Sequence, residues 1–315
     1  MKFTTPSFWL TKKYNKFLIF LIPLSILFRF TFYVKKFITQ EKKVPAKVIC
    51  VGNIFLGGTG KTPLSIELLK IVKQLGKNPV IIKKFYKDHE DEISLIAHKT
   101  GSIIVGKNRI IASEEAVGKK FDTLILDDGL QDNSIYQDLR IVCFSATTLI
   151  GNGLIFPAGP LRQQLSSISN SHIVVINQLD SNFDQKFISE IKKANDKIKI
   201  YYSTYKADPE DINRLKNEEI IAFAGIGNAN NFFQLLKNNG LNLKKEITFP
   251  DHYDYKKQDI DKIVEQAKEA NCELLTTEKD FFRLNNSQRK NIKVLKIKLE
   301  IKDKKNLKKI LISKL

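Results

Sequence analysis

Gly57–Pro63 reads GGTGKTP and lies between an apolar run, Lys47–Val51, and an amphipathic run, Leu64–Leu75. A glycine-rich turn between a strand and a helix, closing on Lys-Thr, has the chemistry that polyphosphate binding requires. Glycines let successive backbone N–H groups converge on phosphate oxygens, and the helix N-terminus adds positive potential. Lys61 is placed to reach the β- and γ-phosphates, and the Thr62 hydroxyl to ligate Mg²⁺. The expected nucleotide-binding set is Phe55, Leu56, Gly57, Gly58, Thr59, Gly60, Lys61 and Thr62. Phe55 stands where the full P-loop pattern has its first glycine. Further on, TLILDDG at Thr123–Gly129 combines a strand with terminal acids, the element whose carboxylate meets Mg²⁺ beside a triphosphate. Asp127 and Asp128 are both candidates, and DDG is also good turn chemistry.

A scaffold must position these groups. Behind the glycines, Leu64, Leu68, Ile71, Val72 and Leu75 repeat at helical spacing, and Pro63 sits where a helix start tolerates proline. Strands are expected at Lys47–Val51, Pro79–Lys83, Ile103–Val105, Phe121–Leu126, Leu139–Phe144 and Ile173–Asn177, with a helix at Arg109–Lys119. Continuous apolar strands separated by helices predict an α/β fold with a mostly parallel sheet flanked by helices. Ligands on such sheets bind at the carboxyl ends of the strands. A smaller α/β unit is expected beyond about Tyr205. It has a strand at Ile220–Ala224 running into GIGN (Gly225–Asn228), a helix at Asn230–Asn239, another through Ile260–Ala267 and a strand at Glu273–Thr277. Lys197–Tyr202 and Lys296–Ile301 alternate and are expected to pair as a connector. The domain boundaries read as 1–43 for an N-terminal membrane-associated helix, 44–200 for the P-loop domain, 201–300 for the smaller domain and 301–315 for a basic C-terminal helix.

The chain has 315 residues and a net charge of +18, which points to an anionic partner: nucleic acid, acidic membrane or phosphorylated substrate. The lysines are dispersed and no recognition motif is present, so nucleic acid is the least favoured of these. Cys50, Cys143 and Cys272 are scattered without a CxxC pair, which argues against a disulfide framework or zinc site and for a reducing compartment. Phe17–Phe28 is almost wholly apolar and resumes at Phe30–Val34 after Arg29. Lys12, Lys13, Lys16, Lys35, Lys36, Lys42 and Lys43 flank it, with Trp9, Tyr14 and Tyr33 near its ends. This pattern predicts a helix lying in, or dipping into, an anionic membrane surface, or a core helix on the sheet.

Taken in order, several motifs together resemble one family, the tetraacyldisaccharide 4′-kinases. They are VGNIFLGGTGKTP (Val51–Pro63), DE (Asp91–Glu92), LDDGLQ (Leu126–Gln131), GNG…PAGPLR (Gly151–Arg162), GIGN (Gly225–Asn228), DH (Asp251–His252) and TEKD (Thr277–Asp280). The resemblance departs at Lys84-Phe85-Tyr86, where the family usually has Arg-Gly-Tyr, and in a shorter loop before Asp91. It departs again at Asp132, Gln163, Ala229 and Tyr253.

The resemblance implies transfer of the γ-phosphate of ATP to the 4′-hydroxyl of a tetraacylated disaccharide 1-phosphate, giving lipid IVA. The work would be done at the cytoplasmic face of the bacterial inner membrane. It implies Mg²⁺ held by Thr62, Asp127 or Asp128, and Glu92. It also implies a general base at Asp91 with His252 as its partner from the second domain, the two brought together by domain closure. Arg109 is implied to neutralise phosphoryl charge and Arg162 to fork onto a phosphate, with Lys61 on the triphosphate. A competing class is a membrane-associated P-loop ATPase or switch, which would not depend on Asp91 or His252.

Overall fold

The computed structural model of the chain describes residues 6–11, 17–177 and 184–315. Lys12, Lys13, Tyr14 and Lys16, read above as flanking groups, lie outside the described residues. The first described elements are a single-turn helix, α1 (Ser7–Leu10), and a long apolar helix, α2 (Leu18–Ile38). It continues through β1 (Lys47–Gly52), α3 (Lys61–Gln74), β2 (Pro79–Lys84), α4 (Glu90–Thr100), β3 (Ile103–Gly106), α5 (Arg109–Gly118), β4 (Thr123–Asp127) and β5 (Leu139–Ser145). Next come β6 (Ile173–Asn177), α6 (Gln185–Ala194), β7 (Lys199–Ala207), α7 (Pro209–Leu215), β8 (Glu219–Ala224) and α8 (Ala229–Asn238). The last elements are β9 (Asn242–Thr248), α9 (Lys257–Glu269), β10 (Glu273–Thr277), α10 (Glu278–Arg283), β11 (Lys293–Leu295), β12 (Ile297–Ile301) and α11 (Lys304–Lys314).

Among the described residues the strands make two sheets, ordered β12-β7-β6-β5-β1-β4-β2-β3 and β11-β10-β8-β9. From β7 to β3 every neighbouring pair is parallel, as is every pair in the smaller sheet. Strands covered on both faces must be apolar throughout, and β4 and β6 are buried at every residue. Val48, Val80, Ile82, Leu124 and Leu126 pack with Ala112 and Ala116 of α5. Val142, Phe144, Val174 and Ile176 pack with Phe187 and Ile191 of α6. The apolar stripe of α3 is buried as its spacing predicts, and the helix packs on β1, β2 and β4. In the smaller sheet, Ile220, Ala222 and Ala224 meet Phe232, Phe233 and Leu236 of α8, while Ile221 and Phe223 meet Ile260 and Ile263 of α9.

The chain divides into a larger unit, which holds the described residues up to Phe85 together with Thr100–Thr204 and Ile301–Leu315, and a smaller unit of Tyr86–Lys99 and Tyr205–Glu300. This differs from the boundaries read above in two ways. Tyr86–Lys99 does not belong to the P-loop unit, because α4 is held by ion pairs to α10: Asp91 to Arg283 at 2.6 Å and Lys99 to Glu278 at 2.6 Å. The C-terminal helix is not separate either. α11 buries Leu307 and Leu311, and Lys304 pairs with Glu67 of α3 at 2.7 Å. The two segments expected to form a connector are neighbours as β12 and β7, but as the edge of the eight-stranded sheet.

The helix α2 runs 21 residues through Pro23 and Arg29 without a break. Among the described residues it alone is long and apolar enough to cross a membrane, and only 11% of its Leu18–Lys35 window is buried. With so little burial, only a narrow face of α2 packs as a core helix would. Its anchorage is narrow. The Ser25 hydroxyl donates to the Ile155 carbonyl (2.8 Å) and accepts from the Ala158 N–H (3.1 Å), and the Phe28 ring packs on Phe156. From α1, buried Trp9 donates its indole N–H to the Pro157 carbonyl at 3.0 Å.

Leu68 of α3, the helix that follows the phosphate loop, is fully buried. Leu68→Ala is expected to cost roughly 2–5 kcal/mol, measured as a lower urea midpoint with an unchanged slope.

Candidate active site

The parallel register of β1 and β4 sets Val51 beside Asp127, so the phosphate loop and the acidic turn leave adjacent strand ends. Gly60 caps α3 in the left-handed region (φ 91°), a conformation that glycine adopts at little cost. Several contacts fix the loop from behind. Asn53 donates to the Thr59 hydroxyl (2.9 Å), Cys143 donates to the Thr59 carbonyl (2.9 Å) and the Asn177 amide also donates to that carbonyl. The segment Gly151–Arg162 lies along the loop's entry, with Leu56 N–H donating to the Pro160 carbonyl and Arg162 N–H to the Ile54 carbonyl, both at 2.7 Å. Phe55 accounts for the missing glycine: its side chain is buried in a cluster with Phe144, Ile155 and Leu161. The ring is therefore core, and of Phe55 only backbone is left for a nucleotide.

The two acids behave differently. Asp127 is fully buried and accepts from Ser65 (2.8 Å), Thr62 (3.1 Å) and Lys83 (2.6 Å). Asp128, at a positive φ of 54°, is partly exposed and faces Arg162 at 3.2 Å and Lys61 at 3.7 Å. Burial alone would push the Asp128 carboxyl upward, but Lys61, Arg162 and Lys83 outweigh it and hold it far below the usual carboxylate range. Oxygen donors of this kind, the Thr62 hydroxyl and two carboxylates, suit a hard cation such as Mg²⁺.

Arg109 sits behind the acidic turn. It is buried, and its guanidinium donates to the Asp127 carbonyl (2.9 Å), the Asp128 carbonyl (2.8 Å) and Asp132 (3.0 Å). It holds the acidic turn in place, and Asp132 is its counter-ion. Arg162 shares its Nη1 between Asp128 and Gln131.

The smaller unit carries the other candidates. Asp91, in the first turn of α4, is nearly buried. Its Oδ2 accepts from Arg283 Nε (2.8 Å) and Nη2 (2.6 Å), and its Oδ1 from the Glu92 N–H (2.8 Å). His252 Nδ1 lies 3.6 Å from the same Oδ2 and has no hydrogen-bond partner among the described residues. The Lys279 ammonium reaches His252 Nε2 (3.2 Å) and Glu92 (3.0 Å). His89 stacks on His252 with ring centroids 5.0 Å apart and nearly parallel planes. Asp91 and His252 thus meet inside one unit, without the domain closure that was expected. Glu92 belongs to this unit too, paired with Lys279, and not to the unit that holds Thr62 and the two acids.

Burial pushes the His252 imidazole below its ordinary value, helped by Lys279 and opposed by Asp251 and Asp91. Burial would likewise lower Lys279, but Glu92, Asp251 and Asp91 hold it above its ordinary value, so it stays charged. TEKD divides its work. Thr277 and Asp280 cap α10 and tie it to the Gly225 N–H and the Tyr255 hydroxyl, while Lys279 faces the Asp91–His252 pair. Arg283 and Lys83 were not singled out in the sequence. Position three beyond Asp280 on a short helix, and the residue following Ile82 in a strand beside Leu126, were the available signals.

A glycine-rich phosphate loop backed by paired acids and an arginine, in a parallel α/β sheet, defines a P-loop nucleotide-binding protein. The family described as tetraacyldisaccharide-1-P 4′-kinase (LpxK) matches residues 17–315, and the chain belongs to it. A tetraacyldisaccharide 4′-kinase of Pelagibacter ubique is 39% identical over 98% of this chain and 96% of its own length. One of Rickettsia felis is 33% identical over 96% and 94%. The solved "apo" form of LpxK from Aquifex aeolicus in complex with ATP is 27% identical, with a TM-score of 0.68, covering 94% of this chain and 99% of that one. The chain is accordingly a kinase of lipid A biosynthesis, and the reading as a switch without sugar kinase activity is not favoured.

Because the folded His252 resists protonation, stability is full above the unfolded histidine value of about 6.5 and declines as pH falls from there toward the lowered folded value. In a ¹H–¹³C NMR titration the His252 midpoint is expected below about 6.5, and Lys279→Met should move it upward. Arg283→Met strands the Asp91 and Asp280 carboxylates and should cost about 3–5 kcal/mol in urea unfolding.

Proposed function

We propose that the chain moves the γ-phosphate of ATP onto the 4′-hydroxyl of a tetraacyldisaccharide 1-phosphate at a membrane surface, and that its two units divide the chemistry. The observation that carries this reading is the buried Asp91 carboxylate, held by Arg283 with the His252 imidazole 3.6 Å away. Such a pair serves to take a proton from a sugar hydroxyl. His252, kept neutral by burial, can receive the charge, while Arg283 and Lys279 hold the carboxylate in one orientation.

In the larger unit, the amides of Gly57–Gly60 and the Lys61 ammonium would hold the β- and γ-phosphates, and Arg162 would leave Asp128 to fork onto an incoming phosphate. Thr62 and the acidic turn, through Asp127 or Asp128, would hold Mg²⁺, which when bound neutralises charge on the phosphoryl oxygens. Catalysis in this class is mostly positioning and charge stabilisation. That explains why the loop and the acidic turn are so heavily tied by Asn53, Cys143, Asn177 and Arg109.

The exposed apolar face of α2, with Phe20, Ile26, Leu27 and Phe30, would seat the enzyme in the bilayer that carries its substrate. A net charge of +18 favours an anionic leaflet such as the cytoplasmic face of the inner membrane.

Phosphate transfer from radiolabelled ATP to the acylated disaccharide in detergent tests the reaction. Asp91→Ala should lose roughly 10²–10⁴-fold in turnover while retaining ATP binding; an unimpaired variant would remove Asp91 from the mechanism. Phe20→Glu with Leu27→Glu should weaken flotation with anionic vesicles, and unchanged flotation would remove α2 from membrane docking.

A further inference from the structure

Lys83 is 3% exposed, and its ammonium lies 2.6 Å from Oδ2 of Asp127, which is wholly buried. The β2–β4 register runs from Pro79 beside Thr123 to Ile82 beside Leu126, so one further step brings Lys83 next to Asp127. Asp127 also accepts from the Thr62 hydroxyl at Oδ2 and from the Ser65 hydroxyl at Oδ1. A carboxylate has about four lone-pair positions, so three donors leave it little capacity for a metal ion. Thr62 has one hydroxyl proton. Donating it to Asp127 turns the oxygen's lone pairs away from that acid and leaves them for a cation. Asp128, by contrast, is partly exposed and faces Lys61 and Arg162, both of which a phosphate ligand could draw away. Of these cations, Lys83 is the one paired to Asp127, while Lys61 and Arg162 face Asp128.

We propose that Lys83 is a positioning residue of the nucleotide site. As the built-in counter-cation of Asp127, it keeps that carboxylate as the fixed acceptor for Thr62 and Ser65 and leaves Asp128 to face the divalent cation. The inference rests on the reading that Mg²⁺ sits at Thr62 and the paired acids. It adds a residue outside the phosphate loop and the acidic turn, and it gives the two acids different tasks.

The test is Mn²⁺ binding, followed by electron paramagnetic resonance, to the full chain in detergent with a non-hydrolysable ATP analogue, alongside phosphate transfer. Lys83→Met exposes an uncompensated buried carboxylate to the metal. Mn²⁺ should bind roughly tenfold tighter while transfer falls at least about tenfold, because the cation is drawn toward the wrong acid. A lysine that only supports the fold would weaken both together, and that result overturns the proposal. The double variant Lys83→Met with Asp127→Asn removes both charges and should return Mn²⁺ affinity to within about threefold of wild type. Should Lys83→Met fail to fold, Asp127→Asn carries the test. Alone it leaves Lys83 unpaired and should weaken Mn²⁺ binding roughly tenfold, with recovery in the double variant. Equal weakness of Asp127→Asn and the double variant would make Asp127 itself the metal ligand and overturn the proposal. Wild type that binds no Mn²⁺ overturns the metal reading instead, a different failure.

Discussion

Two carboxylates side by side at the end of a buried strand are the constraint around which the larger unit is arranged. Asp127 and Asp128 leave β4 next to the strand that launches the phosphate loop, where low polarizability makes uncompensated charge expensive. Every cation near them answers that need from a different element: Lys61 from α3, Lys83 from β2 and Arg162 from the segment after Gly151, while Arg109 of α5 holds the turn's carbonyls. The same crowding explains the small residues nearby. A Cβ on Gly52 would stand 2.4 Å from that of Leu130, and one on Gly129 would stand 2.9 Å from that of Leu126. The turn can approach the loop only because neither position bears a side chain.

The smaller unit solves a related problem with one arginine. Arg283 bridges Asp91 on α4 and Asp280 on its own helix, and it also donates to the Gly225 carbonyl at 2.5 Å. Asp280 is wholly buried, and burial raises it above the usual carboxylate value despite that arginine. Its hydrogen bonds from Thr277, Tyr255 and Gly225 fix the end of β10 and the start of α10. From this frame Lys279 and Asp91 project beside His252, whose positive φ of 55° follows from the tight turn that FPDHY makes.

Much of the fold was legible because its strands are long apolar runs with glycine and proline punctuation. Ile173–Asn177 and Glu273–Thr277 match the structure residue for residue. β9 was missed because Asn242–Thr248 is an exposed edge rich in lysine and glutamate, with no alternating apolar stripe. α4 was missed because its charged start, Glu90–Glu92, reads as solvated. Its membership in the smaller unit depends on ion pairs to residues nearly two hundred positions away, which no local period records. Of the site, the glycine loop and the acid pair are visible as motifs with their own chemistry. The bridging role of Arg283, the burial of Lys83 and the inward turn of Arg109 are products of tertiary packing.

The narrow attachment of α2 and Trp9 has a practical side. Both fasten to Ile155–Ala158, within the segment that carries Arg162 to its place beside Asp128. The apolar N-terminus is therefore also a brace for an active-site arginine. Trimming it would loosen that arginine, so a sluggish trimmed enzyme would not by itself report on the exposed apolar face of α2.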